Sequence, residues 1–168
     1  YSVGRPIECF EGWLMAGVLK AGPGSFVARS CAAAHWGIGK RPGVIEIVRP
    51  HGRSSKCSFV ARQGSGRRLV IHRSRSLPES EVTAHRRVPV TTVARTLLDM
   101  APLVSGGELC DVFDEAARRR RIDIDALEQM LDRGPGRHGS AALRELTEEW
   151  HPDDARARPR LENRFIRL

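Results

Sequence analysis

Long apolar runs are missing from this 168-residue sequence; none approaches the ~20 residues that a bilayer-spanning helix needs, so no membrane segment is expected. No secretory signal is visible. Cysteine is sparse and scattered, at Cys9, Cys31, Cys57 and Cys110, with no C-x-x-C pair and no clustered histidines. A tetrahedral zinc site gathers its ligands on short loops, so this spacing argues against structural zinc and fits a reduced, cytoplasmic setting. Cys9 and Cys31 fall in apolar helical patterns and are expected in the core. Glycine-containing segments such as "RQGSGRR" neither follow a strong strand nor open a helix, as phosphate cradling requires, so no nucleotide-binding loop is expected. Internal repeats and coiled-coil heptads are lacking too. Lysine is nearly absent: Lys20, Lys40 and Lys56 are the only three, so 25 of the 28 cationic side chains are arginine. Arginine, alanine, glycine and proline belong to GC-rich codons, so base composition is an alternative source of this basicity to a polyanion partner.

What is present suffices for one domain with a core, since 40% of the residues are hydrophobic. The net charge of +8 is unevenly spread. Residues 1–90 hold 15 Lys/Arg against 5 Asp/Glu, whereas residues 91–168 hold 13 against 15. A basic half beside a near-neutral half sets up a one-sided field that attracts a polyanion.

Periodicity predicts a helix over 7–22, a brief extended piece at 26–28, and a short helix over 31–38 capped by Ser30, with Trp36 and Ile38 anchoring its end. His35 on that helix is read as a partly buried or surface histidine rather than a base, because no carboxylate or cysteine stands near it in sequence. Strands are predicted at 44–50, at 57–61 and at 68–74, and 77–87 reads as a polar connection. "VPV" (88–90) is extended, and Pro89 places it at a sheet edge or strand start. Thr91 or Thr92 caps the next helix, which turns Val93, Leu97, Met100 and Ala101 to one face. Arg95 and Asp99 are then neighbours on the helix surface, a structural pairing, since no nucleophile or second acid accompanies them. Further helices are expected over 108–121, 122–134 and 139–150. The run Arg118–Arg121 suits a helix C-terminus, and a phosphate contact is its functional alternative. The fold class is therefore α+β: a small mixed or antiparallel sheet of three to four short strands flanked by helices, with a helical C-terminal half.

"GSFVARSCAAAHWGI", "VIEIVRP" and "LVIHRSRSLPESEVTAHRRVPVTTVARTLLDMA" together resemble the central domain of AbiEi-type antitoxin-like proteins, components of bacterial abortive-infection toxin–antitoxin systems. Ser30, Ala33, Ala34, Trp36 and Gly37 match an "S-x-x-A-A-x-W-G" helix, and His72 and Arg73 a "V-H-R" strand. Val90, Thr91, Ala94, Arg95, Thr96, Leu97, Leu98 and Asp99 match a "V-T-x-x-A-R-T-L-L-D" signature. His35 departs from the aliphatic residue usual at its position, and "RPRLE" from a serine-containing lead-in. In actinobacterial look-alikes a winged helix-turn-helix precedes this domain, and a very-short-patch-repair-like endonuclease domain of the PD-(D/E)XK class follows it. The resemblance implies an AbiEi-like domain over 1–150, a linker over 151–159, and the first residues of a truncated endonuclease-like domain over 160–168, with both ends cut from a longer protein.

The resemblance implies a DNA-associated regulatory module of the antitoxin or transcription-regulator kind, non-catalytic as it stands, with DNA and a cognate toxin or nuclease domain as partners. Arg67, Arg68, Arg73, Arg75, Arg86 and Arg87 cluster in the loops and edges of the expected sheet, and a basic sheet face is predicted to contact phosphates through them. The alternative is a scaffold for a DNA endonuclease. That chemistry holds Mg²⁺ with several carboxylates, and only Glu162 of this chain could belong to such a site, so no cofactor is expected for it. The sequence says nothing of oligomeric state.

Overall fold

Cys9 is not in the core. The thiol caps the first helix, α1 (Phe10–Ala21), and its exposed Sγ accepts the Gly12 N–H at 3.3 Å. The computed structural model describes residues 9–50, 59–63, 67–74, 77–134 and 139–150, leaving aside the side chains of 50, 59–63 and 67. The expected linker at 151–159 and the segment 160–168 lie outside the described residues.

α1 buries Phe10, Trp13, Leu14 and Val18. Gly17 sets its distance from the sheet, because a Cβ there would lie 3.0 Å from Ile47 Cγ1. After β1 (Phe26–Val27) the chain enters α2 (Arg29–Trp36) directly. The predicted cap Ser30 is inside that helix and its Oγ donates to Met100 Sδ at 3.5 Å; Ala28, fully buried at the end of the strand, is the cap and makes no side-chain bond.

Strands β2 (Val44–Pro50), β3 (Phe59–Gln63), β4 (Arg67–Ser74), β5 (Val82–His85) and β6 (Val88–Thr91) join β1 in one mixed sheet of order β3-β4-β2-β1-β6-β5. The sheet has six strands rather than three to four. The extra ones are β1, only two residues long, and β5, which lies within the predicted polar connection after a 3₁₀ turn (Glu79–Glu81). Pro89 is the second residue of β6, the strand start of the expectation rather than a sheet edge. Strand β6 is internal, but β1 pairs with it only at Val27–Val90, so no ladder N–H is asked of the proline.

Ile45, Ile47, Leu69, Ile71, Val88 and Val90 alternate onto the sheet face that α1 and α2 cover. Cys31 ties α2 to β2: Sγ donates to the Val44 carbonyl and accepts the Glu46 N–H, both at 3.2 Å, and burial pushes this thiol up to about 12. The C-terminal helices α3 (Val93–Met100), α4 (Gly106–Arg118), α5 (Ile124–Arg133) and α6 (Ser140–Glu148) build a second core around Leu97, Leu109, Phe113, Leu127 and Leu143. Thr92, Ser105 and Asp123 cap α3, α4 and α5 through their side chains, each accepting the backbone N–H three residues on. No helix among the described residues is long and apolar enough to cross a membrane.

Candidate nucleic-acid interface

The arginines expected on one sheet face divide between its two ends. Arg68 pairs in register with Val44, at the start of β2, and Arg73 with Arg49, near its end. Five residues of strand separate them by about 16 Å, and the odd spacing turns their side chains to opposite faces. Arg68 is exposed and Arg73 half-buried. Arg67 shares the Arg68 end of β4, while Arg75 and Glu162 lie outside the described residues. Counting back along the ladder from Val90, level with Val27, Ile47 and Ile71, sets Val88 level with Arg49 and Arg73. Arg86 and Arg87, in the turn before Val88, therefore project from the Arg73 end of the sheet.

That turn is strained. Arg86 and Arg87 have φ of 45° and 66°, the type I′ geometry that ordinarily selects Asn-Gly. Left-handed backbone costs a β-carbon-bearing residue about 1–2 kcal/mol. Arg120, in the link after α4, has φ 54°. The fourth such residue is Arg29, at 56°, so all the non-glycine residues with positive φ among the described ones are arginines.

An aromatic stack brings the two arginine turns together. His85, just before the hairpin turn, stacks on Trp36 with ring centroids 4.4 Å apart, and Arg121 lies over the Trp36 ring at 5.3 Å. Trp36 is held by its Nε1–H to the Thr91 carbonyl at 2.8 Å. His35 meets the His85 ring edge-on at 5.0 Å, and its Nε2 donates to the His85 carbonyl at 2.9 Å. That histidine is 4% exposed, more deeply buried than its sequence context suggests. Burial holds His85 below the ordinary histidine range, reinforced by the nearby His35, Arg121 and Arg86 and opposed by Glu11.

Some of the surrounding cations are neutralised. Arg86 reaches Glu11 at 3.3 Å, and Arg118 and Arg119 both bind Glu115. Arg87, Arg120 and Arg121 make no ion pair among the described residues. Arg87 and Arg120 are exposed and Arg121 is half-buried over Trp36; unpaired guanidinium groups on fixed turns suit phosphate oxygens, which the planar fork meets in pairs.

Comparison with protein families matches the AbiEi antitoxin C-terminal domain over residues 24–149. The chain belongs to the AbiEi antitoxin family. Neither the curated proteins nor the solved structures offer a match. The span matched to the AbiEi domain contains both arginine turns and the Trp36–His85 stack; the endonuclease-like neighbour expected at 160–168 lies beyond it.

In this AbiEi domain the "V-T-x-x-A-R-T-L-L-D" stretch fastens the fold. Thr91 and Thr96 are fully buried with hydroxyls 2.8 Å apart, and Thr96 Oγ1 donates to the Thr92 carbonyl at 2.8 Å. Arg95 donates to Asp99 Oδ1 at 2.8 Å, but it is more than a helix-surface neighbour: its side chain is 13% exposed and also binds Glu81 at 2.5 Å. Arg133 of α5 approaches the other Glu81 oxygen at 3.4 Å, and the Glu81 carbonyl accepts the Thr92 N–H at 3.0 Å. One buried carboxylate thus locks the start of β5 onto α3 and α5. His72, of the "V-H-R" strand, pairs with Glu46 at 3.1 Å beside Arg29, whose Nη1 is 3.3 Å from His72 Nε2. No sequence pattern joins Trp36, His85, Arg120 and Arg121 into one surface. The run Arg118–Arg121 is the one local signal, and nothing in sequence places it beside residue 85.

Proposed function

We propose that this AbiEi domain is a DNA-associated, non-catalytic regulatory module of a toxin–antitoxin system, and that the phosphate backbone meets it at the paired arginine turns. Family membership supports the toxin–antitoxin setting in general terms. The observation that carries the DNA reading is the pairing of two strained turns, Arg86–Arg87 and Arg120, around the Trp36–His85 stack, with three guanidinium groups left unneutralised. Such contacts position a protein on the duplex and carry no sequence information; base readout belongs to another element, such as the winged helix of the look-alikes. In this reading the module works in the cytoplasm, needs no cofactor, and has a cognate toxin or nuclease domain as its further partner.

The test is DNA affinity measured against salt. Each lost phosphate contact flattens the slope of log K on log salt by about 0.9. Arg87→Gln with Arg120→Gln should flatten it by roughly twice that, equally for unrelated duplexes. Arg68→Gln, at the far end of the sheet, should leave the slope alone. An unchanged slope in the double variant, or an equal loss from Arg68→Gln, would refute the assignment.

A further inference from the structure

Strand β5 forms one edge of the sheet, and its middle residues, Thr83 and Ala84, are exposed. Register tells which of its backbone groups lack a partner. His85 and Val88 flank a two-residue turn and so form the hydrogen-bonded pair that closes it. Pair types alternate along an antiparallel ladder, so Ala84 and Pro89 form a non-hydrogen-bonded pair, in keeping with a proline that has no N–H to give. The N–H and C=O of Ala84 consequently point away from β6, toward the open edge. The edge is short, at four residues, but Val82–His85 contains no lysine, no proline and no bulge.

Beneath this edge lies a pocket of about 300 Å³, walled by Thr83, Trp36, Val93, Ala126, Met130 and Arg121. A cavity of ~150 Å³ suffices to hold benzene, so an aromatic side chain fits. Asp123 also lines the pocket, but its carboxylate accepts the Ala126 N–H at 2.9 Å as the cap of α5, whereas Arg121 has no carboxylate partner among the described residues. Residues facing each other across a ladder share a sheet face. A strand added along β5 would therefore turn alternate side chains to the side on which Thr83 meets the pocket.

We propose that the β5 edge is a strand-addition site for an extended segment of a partner protein, with one large apolar side chain for the pocket and an acidic residue for Arg121. Backbone pairing to Ala84 supplies affinity, and the pocket and Arg121 supply selectivity. The site shares Trp36 and Arg121 with the phosphate reading but does not rest on it, since its backbone pairing is to Ala84 and the arginines that test the phosphate reading, Arg87 and Arg120, take no part in it.

The experiment titrates the ¹⁵N-labelled chain with a short acetylated and amidated peptide that alternates threonine and valine around one phenylalanine and closes on glutamate. The Ala84 amide should shift, and its hydrogen exchange should slow by about tenfold at saturation. Ala84→Pro removes the outward N–H without touching the β6 ladder, and Ala126→Phe fills the pocket; each should weaken the peptide about tenfold while the thermal midpoint stays within a few degrees. An analogue N-methylated along its backbone should fail on the unaltered chain, which keeps the test decisive if a variant misfolds. The proposal is overturned if no β5 amide responds, if the N-methylated peptide binds equally well, or if Ala84 is already protected because two copies of the chain pair through β5.

Discussion

Arg87 and Arg95 stand eight residues apart in the sequence and are held in opposite ways. Arg95 sits in regular helix, its side chain 13% exposed, bonded to Glu81 and Asp99. Arg87 occupies left-handed backbone on an exposed turn with no ion pair among the described residues. The first arrangement satisfies every charge that it buries and serves stability. The second costs stability, and no ion pair or side-chain hydrogen bond among the described residues offsets the strain at Arg87. Backbone strain gathers at functional sites, and at Arg87, unlike the ion-paired Arg29 and Arg86, it coincides with a guanidinium group free of ion pairs among the described residues, which is why the proposed phosphate contact is placed there and the fastening at Arg95.

The contrast breaks most visibly at the clamp. Arg95→Met leaves Glu81, 6% exposed at its side chain, with only the longer Arg133 contact. Removing one partner of a buried pair costs about 3–5 kcal/mol, so the urea midpoint should fall steeply. A loss within a few tenths of a kcal/mol would return Arg95 to the ordinary surface class.

The hairpin turn should answer with the other sign. Arg86→Asn with Arg87→Gly supplies the residues that type I′ geometry prefers and should stabilise the domain by about 1–2 kcal/mol while weakening DNA binding. The Arg86–Glu11 pair lost in the exchange is 67% exposed on the arginine side and subtracts little. A turn that gains stability without losing DNA affinity would leave its strain with no link to phosphate binding.

The smallest effect is a pH dependence. His85 is held below the ordinary histidine range, chiefly by burial and then by His35, Arg121 and Arg86. The unfolded chain therefore takes up its proton first. The stability linked to His85 is complete above the ordinary histidine value and is lost as pH falls through and below it. His85→Phe keeps a ring on Trp36 and removes the titration, so its thermal midpoint should drop less than that of the parent chain between about pH 7.5 and about pH 5. Parallel curves would detach His85 from the acid sensitivity of the fold.

Local periodicity locates β2 to the residue, places β4 within one, and identifies the inward residues of α3. It passes over β5, whose "VTAH" shows no apolar face because an edge strand buries so little. It puts Cys9 inside, since a helical pattern extended one turn too far cannot reveal a capping thiol. Closeness in sequence gathers six arginines onto one face, whereas strand pleat and register send Arg68 and Arg73 to opposite faces and opposite ends.

Residue order alone determined the α+β class, the spans of most helices, the family signature around Arg95, and the arginine-rich character of the first ninety positions. All of these depend on neighbours a few residues away. Tertiary structure alone decided that residues 36, 85 and 121 share a stack, that Glu81 is the carboxylate Arg95 needs, and that β5 is left as an open edge above a pocket. Strand order and helix docking are choices among distant partners, made by burial and hydrogen-bond satisfaction over the whole chain, and no local pattern encodes them.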